Sequence, residues 1–206
     1  MGSLSGCWLP VAIGGMAESY KRSSTKTIPA EYEGLDGKSF AVLVYADRVL
    51  QGNHPQLPPR LSNAITTELA QPERTGATGV VPVVAIVEFQ LTRPDWTTWT
   101  YEQLAEEFGV DRLIVVELYE YRINEPGNAY LWDGLAAGRV GVVESDGALP
   151  DELAYSKDIQ VHYPDSRGLG PTDMSARQVR GILERRFIDR VTWLFYEHKE
   201  PYYPDY

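Results

Sequence analysis

The feature that most constrains the fold lies between Thr100 and Ile123, where a fully punctuated helix runs directly into an apolar strand. Thr100 followed three residues later by Gln103 is a capping box, in which each side chain satisfies a free backbone N–H at a helix start. Leu104, Ala105 and Phe108 recur at helical spacing, and Gly109 supplies the left-handed residue on which helices commonly stop. Leu113 to Ile123 then opens with an all-apolar half and ends in alternation, as in a strand leaving the core. A short helix delivered so directly to an apolar strand points to a mixed α/β layer structure.

The flanking segments extend that pattern. Phe40 to Tyr45 is nearly all apolar and follows Asp36-Gly37, as expected of a central strand covered on both faces. Pro58 and Pro59 suit a first helical turn, and Leu61, Ala64, Ile65 and Leu69 continue a helix over roughly 58–71 before Gln71-Pro72 stops it. Thr75 to Gly79 reads as a loop, and the β-branched run Val83 to Leu91 as a second strand. After the 113–123 strand, Glu125-Pro126-Gly127-Asn128 is a turn. Leu131 to Glu144 is a fourth strand whose Gly134, Ala136, Ala137 and Gly138 mark a bulge or a close neighbour, and Leu153 to Tyr163 is a fifth. Ser175 with Gln178 caps a last helix, with Val179, Ile182, Leu183, Phe187, Val191, Leu194 and Phe195 on its apolar stripe and Arg180, Glu184, Arg185 and Asp189 on a solvated face. The predicted order is β-α-β-α-β-β-β-α, an α/β (α+β) sandwich on one mixed sheet of about five strands and about three helices. Its expected bounds are 38–200, after a leader and linker over 1–37 and before an aromatic tail over 201–206.

Charge excludes some functions. With 29 acidic against 19 basic residues, a formal −10, the chain repels phosphate backbones, so nucleic acid is not the expected ligand. A polybasic grip on anionic lipid is disfavoured for the same reason. No run of about 18 apolar residues offers a spanning helix. With one cysteine an internal disulfide is impossible, and the fold must rest on packing.

That cysteine is Cys7, in Leu4-Ser5-Gly6-Cys7. The tetrapeptide resembles a bacterial lipobox: an apolar residue three before the cysteine, small residues directly before it, and a thiol that takes the diacylglyceryl group. The resemblance implies lipid attachment at Cys7, with the segment after it acting as a leash. A secretory signal also needs a charged segment and an apolar stretch of about 7–15 residues before the cleavage point. Only Met1, Gly2 and Ser3 precede Leu4 here, so the recorded start lies too far downstream, or the leader has been trimmed, or the match is fortuitous. A further alternative takes Leu4 to Ile13 as the remnant of an ordinary signal. Trp8 after the cysteine is not the aspartate that retains many lipoproteins at the inner membrane, so an outer-membrane anchor is expected.

The order of elements, with Phe40 to Tyr45, the Phe108-Gly109-Val110-Asp111 joint leading into Leu113 to Val116, and the final helix, resembles the α/β domain of three envelope families. These are the N-terminal domain of the translocation protein TolB, the curli-secretion lipoprotein CsgG, and the peptidoglycan-synthase activator LpoB. The Glu125-Pro126-Gly127 turn and Val161-His162-Tyr163-Pro164 also resemble uncharacterised lipoproteins of the planctomycete type. The resemblance spans about residues 38–198 and implies an envelope lipoprotein with envelope proteins, or peptidoglycan, as partners. It carries over no catalytic residue, because one fold hosts many functions.

Catalytic patterns are thin. His54, His162 and His198 have no second histidine or cysteine at metal-ligand spacing, and His198 near a helix end has a bland explanation in the helix dipole. There is no Gly-x-Ser-x-Gly elbow, no phosphate loop and no complete dinucleotide fingerprint, so no cofactor is expected. Glu117, Glu120 and Asp133 are the carboxylates that a hydrolase, the alternative reading, would pair. For recognition, Trp96 and Trp99 flank Thr97-Thr98 in a loop, and Tyr202 and Tyr203 stand in the tail; large exposed aromatics favour partner binding, while packing onto the next helix is the competing role for the tryptophans. The expected function is a non-enzymatic scaffold or adaptor.

Overall fold

The computed structural model describes residues 25–201 and divides into two units. In the smaller, strand β1 (Thr25–Ile28) pairs antiparallel with β7 (His198–Pro201), Thr25 opposite Pro201 and Ile28 opposite His198. His198 therefore lies in a strand and not near a helix end, with its Nε2 3.7 Å from Glu200 Oε1. Cys7, Tyr202 and Tyr203 lie outside the described residues, as do the 1–24 part of the leader and all but Pro201 of the tail.

The larger unit, 30–196, is built on a five-stranded mixed sheet of order β3-β2-β4-β5-β6. Its strands are β2 (Ser39–Ala46), β3 (Gly79–Val80), β4 (Arg112–Glu125), β5 (Asn128–Glu144) and β6 (Leu153–Tyr163). β2 runs parallel to both β3 and β4, whereas β4, β5 and β6 form an antiparallel meander. Helices α1 (Arg48–Asn53), α2 (Leu57–Leu69) and α3 (Pro72–Thr75) connect β2 to β3; α4 (Val83–Thr92), a 3-10 turn (Trp96–Thr98) and α5 (Tyr101–Phe108) connect β3 to β4; and α6 (Ala176–Thr192) follows β6. The α/β mixed-sheet architecture expected from the sequence is the one observed.

The strand alternation of β2 shows why it is apolar throughout. Phe40, Val42 and Val44 face one core, built with Leu61 and Ile65 of α2 and Leu183 and Phe187 of α6, while Ala41 and Leu43 face a second core with Ile86 and Phe89 of α4 and Leu104 of α5. Helices thus cover both faces of the parallel strands, the arrangement that removes alternation from their sequence. Tyr32 and Leu35, in the segment read from sequence as the end of a linker, are buried in the first core.

Three local expectations are corrected. The run at 83–91 is helix α4, and the second strand is the two-residue β3 just before it. Pro82 opens the helix, Ile86 and Phe89 one turn apart are buried, and Val84 and Leu91 are exposed. On the last helix, which ends at Thr192, Ile182 is exposed, and the supposedly solvated face is engaged: Glu184 accepts from Arg60 Nη2 at 2.8 Å and Tyr121 Oη at 2.9 Å. Burial holds the half-buried Asp189 carboxyl above its usual range, with Arg185 at 3.0 Å opposing it. Both capping boxes, Thr100 with Gln103 and Ser175 with Gln178, are formed, and Gly109 is left-handed at φ 62°.

A β-bulge at Tyr119 reshapes the second half of β4. Pairing skips from Leu118–Gly138 to Glu120–Ala137, and the extra residue reverses the alternation. Tyr121 and Ile123 consequently join the core beside α6, and Tyr119 is left exposed.

Candidate functional site

The sheet topology creates a cleft. The chain leaving β2 at Ala46 passes to α1 and α2 on one face, whereas the chain leaving the adjacent parallel β3 passes to α4 on the other. Connections that depart to opposite faces leave a crevice at the carboxyl ends of the strands, the usual ligand position in open α/β sheets. Here the crevice has a volume of about 640 Å³ and is walled by Pro58 and Pro59 of α2, Val87 and Leu91 of α4, and Trp96. Its floor is Tyr45 and Glu117, neighbours across β2 and β4.

Tyr45 and Trp96 meet edge to face, with ring centroids 5.7 Å apart at 79°. Burial, then the charge of Glu117, pushes the Tyr45 phenol up to about 12, so it stays a neutral donor beyond the pH at which a free phenol ionises. Asp47 caps α1 through the Leu50 N–H at 2.7 Å, and Gln90 Nε2 reaches Val44 O at 3.5 Å. Arg48 and Gln51 line the rim and Arg48 makes no ion pair among the described residues. The cleft is thus an aromatic and proline-walled surface with a few polar groups at its edge, suited to hold a ligand by burial and orient it by hydrogen bonds.

The structure separates the two tryptophans singled out in the sequence. Trp96 is half-buried at the cleft, while Trp99 packs on Phe89 at 5.4 Å beneath the Arg93 guanidinium and donates from Nε1 to Asp95 at 3.4 Å. Trp99 therefore fastens the 3-10 turn to α4. The candidate carboxylates do not converge on a cavity: Glu120 and Asp133 both bind Arg122, at 3.1 and 2.7 Å, and Glu117 stands in the cleft beside Arg139 in register. His162 contacts Gln160 at 2.8 Å on the outer face of β6. No group of three or more metal-ligating side chains assembles among the described residues, and no described helix is long and apolar enough to cross a membrane. Glu117 was singled out from sequence only as a carboxylate, and Tyr45 not at all; the signal for both was position, at the end of the first parallel strand and its partner.

No family model matches the sequence, and no curated protein matches it. Solved structures with a similar chain course include the lipoprotein GNA1162 of Neisseria meningitidis, at 14% identity, 74% of this chain, 96% of that chain and a TM-score of 0.44. The PelC dodecamer of Paraburkholderia phytofirmans follows at 9% identity, 85% and 99% coverage and a TM-score of 0.45. The LpoB C-terminal domain of Salmonella enterica, from one of the families the sequence resembles, matches at 13% identity, 70% and 90% coverage and a TM-score of 0.34. At such identities these are likenesses of backbone course and carry nothing about activity.

Proposed function

We propose that this chain is a non-enzymatic envelope lipoprotein, anchored through Cys7 on the periplasmic side of the outer membrane, whose α/β unit is an adaptor for an envelope protein or for peptidoglycan. The single observation that supports the adaptor reading is the half-buried Trp96 seated on Tyr45 in a proline-walled cleft. A rigid aromatic in such a position buries much area at low entropic cost when a partner covers it. The Leu4-Ser5-Gly6-Cys7 tetrapeptide supports the anchor. One acyl chain binds membranes only marginally, so durable tethering rests on a di- or triacylated cysteine. Tyr202 and Tyr203 are the secondary candidates for partner contact.

The test is made on the full-length gene product expressed in its own envelope. Intact mass and detergent partitioning of wild type against Cys7→Ala should show an acyl increment that the variant loses. A photo-crosslinking residue at position 96 should give a discrete adduct that the same probe at exposed Tyr130, away from the cleft, does not. A native protein without acyl mass defeats the anchor; identical adducts from both positions defeat the adaptor surface.

A further inference from the structure

A second, smaller pocket lies beyond the α1–α2 turn and collects positive charge. His54 caps the C-terminus of α1 and stands edge-on to Tyr121, 5.0 Å between centroids at 78°. Tyr121 reaches this place only because of the Tyr119 bulge. Its hydroxyl and Arg60 Nη2 both donate to the same Glu184 oxygen, at 2.9 and 2.8 Å. Arg180 lies one turn before Glu184 on α6 and also lines the pocket, yet forms no ion pair among the described residues. The spacing i,i+4 would ordinarily pair the two. The carboxylate is instead spent on Arg60 and Tyr121, behind the wall they form, and no acid among the described residues lines the cavity of about 270 Å³. In a chain of formal charge −10, four elements thus bring two guanidiniums and an imidazole together with one acid already engaged. Asn53 and Gln56 add amide donors, while Leu57, Pro55 and the Tyr121 ring supply apolar wall.

A solvated arginine is ordinary by itself. The informative feature is a concave site whose donors come from opposing elements and are engaged by no protein acceptor among the described residues, Arg180 on α6 and the side chains of Asn53 and Gln56 in the 53–56 turn, too small for a folded partner and roomy enough for a small anion with a short apolar stem. We infer that this pocket binds a small carboxylate, with Arg180 as its principal ion partner, Arg60 and His54 beside it, and the stem against Leu57 and Tyr121. The inference does not rest on the adaptor reading, which concerns the neighbouring cleft.

The charged and titratable groups facing His54 are Arg60 from α2, Tyr121 from β4, and Arg180 and Glu184 from α6. Burial, with Arg180 and Arg60 adding to it and Glu184 opposing, holds the imidazole below its ordinary value. A bound carboxylate favours the imidazolium, so by linkage affinity rises as pH falls through the His54 pKa while the ligand stays ionised.

NMR titration of the purified full chain tests this, with propionate, N-acetyl-dialanine, the C-terminal amide of that dipeptide, and inorganic phosphate as probes. Saturable shifts of the His54 and Tyr121 ring signals are expected with both carboxylates and not with the amide. Tighter binding of N-acetyl-dialanine than of propionate assigns the carboxylate to a peptide terminus; equal binding assigns it to a free small acid. Loss of one charge-assisted contact in Arg180→Gln should weaken binding about tenfold or more. Arg180→Lys should retain part of the affinity, and His54→Gln should remove the pH dependence. Equal binding of acid and amide, unchanged affinity in Arg180→Gln, or binding of phosphate alone overturns the inference.

Discussion

Gly138→Ala sets backbone propensity against tertiary packing, and the two predict opposite signs. A strand glycine is less favourable than alanine by roughly 0.5–1 kcal/mol on conformational grounds, so local reasoning expects stabilisation. In the structure a Cβ at 138 falls 2.7 Å from the Glu117 carbonyl oxygen and 3.1 Å from Phe187 Cζ. Backbone of a central strand cannot retreat cheaply, and Phe187 is buried in the α6 core at 1% exposure. Overpacking of this kind costs about 1–3 kcal/mol, which set against the propensity gain leaves a net loss of up to about 2 kcal/mol. For a unit of this size each kcal/mol lowers Tm by about 2–4 °C. The assay is thermal and urea unfolding followed by circular dichroism, in a cycle with Phe187→Leu. Shortening the ring should recover part of the loss, a coupling of about 0.5 kcal/mol or more, because the Glu117 oxygen stays in place. Gly141→Ala is the control: its Cβ meets only the tip of Leu153, at 2.7 Å, and a side-chain end can swing aside. A stabilised Gly138→Ala, or strict additivity with Phe187→Leu, refutes the claim that the bare glycine seats α6.

Three further outcomes follow from the same structure. Arg112, 6% exposed, donates to Gly34 O at 3.0 Å and Asp111 O at 2.8 Å and pairs with Asp146. Arg112→Met leaves Gly34 O without its donor, while Asp111 O keeps the Ser145 N–H and Asp146 keeps Lys38; it should cost about 1–3 kcal/mol in urea unfolding, whereas Lys38→Met, on the exposed side of Asp146, should cost under about 1 kcal/mol. The Lys38 and Arg112 hydrogen bonds lower the Asp146 pKa to about 2 from 3.8, so its contribution is complete above about pH 4 and is lost as pH falls through about 2. Solvent screening at this exposed carboxylate limits the loss to about 1 kcal/mol, and an Asp146→Asn variant should show a correspondingly flatter stability between pH 5 and 2. Thr100→Ala removes one half of a formed capping box and should lower stability by about 1 kcal/mol without altering the far-ultraviolet spectrum of the folded state.

What the sequence determined by itself was local. Both capping boxes, the Gly109 stop and the 125–128 turn depend on contacts within a few residues, and the unbroken apolar run Phe40 to Tyr45 is itself the mark of burial on two faces, so pattern and chemistry suffice to read them. The glycines of β5 marked a bulge or a close neighbour, though not that the neighbours at Gly138 were the Glu117 carbonyl and Phe187. Tertiary structure alone decided the rest. Val83 to Thr92 is apolar nearly all round, which gives no period to tell a buried strand from a helix; β3 already occupies that edge of β2, and only a helix lays Ile86 and Phe89 together on Ala41 and Leu43. The bulge at Tyr119 follows from pairing with β5, and by reversing alternation it decides that Tyr121 meets His54 and Glu184. The walls of both pockets come from segments far apart in the chain: the handover of chain from one sheet face to the other brings Tyr45 and Trp96 together, the bulge and the packing of α6 bring His54, Tyr121 and Arg180 together, and nothing in the spacing of these residues encodes either.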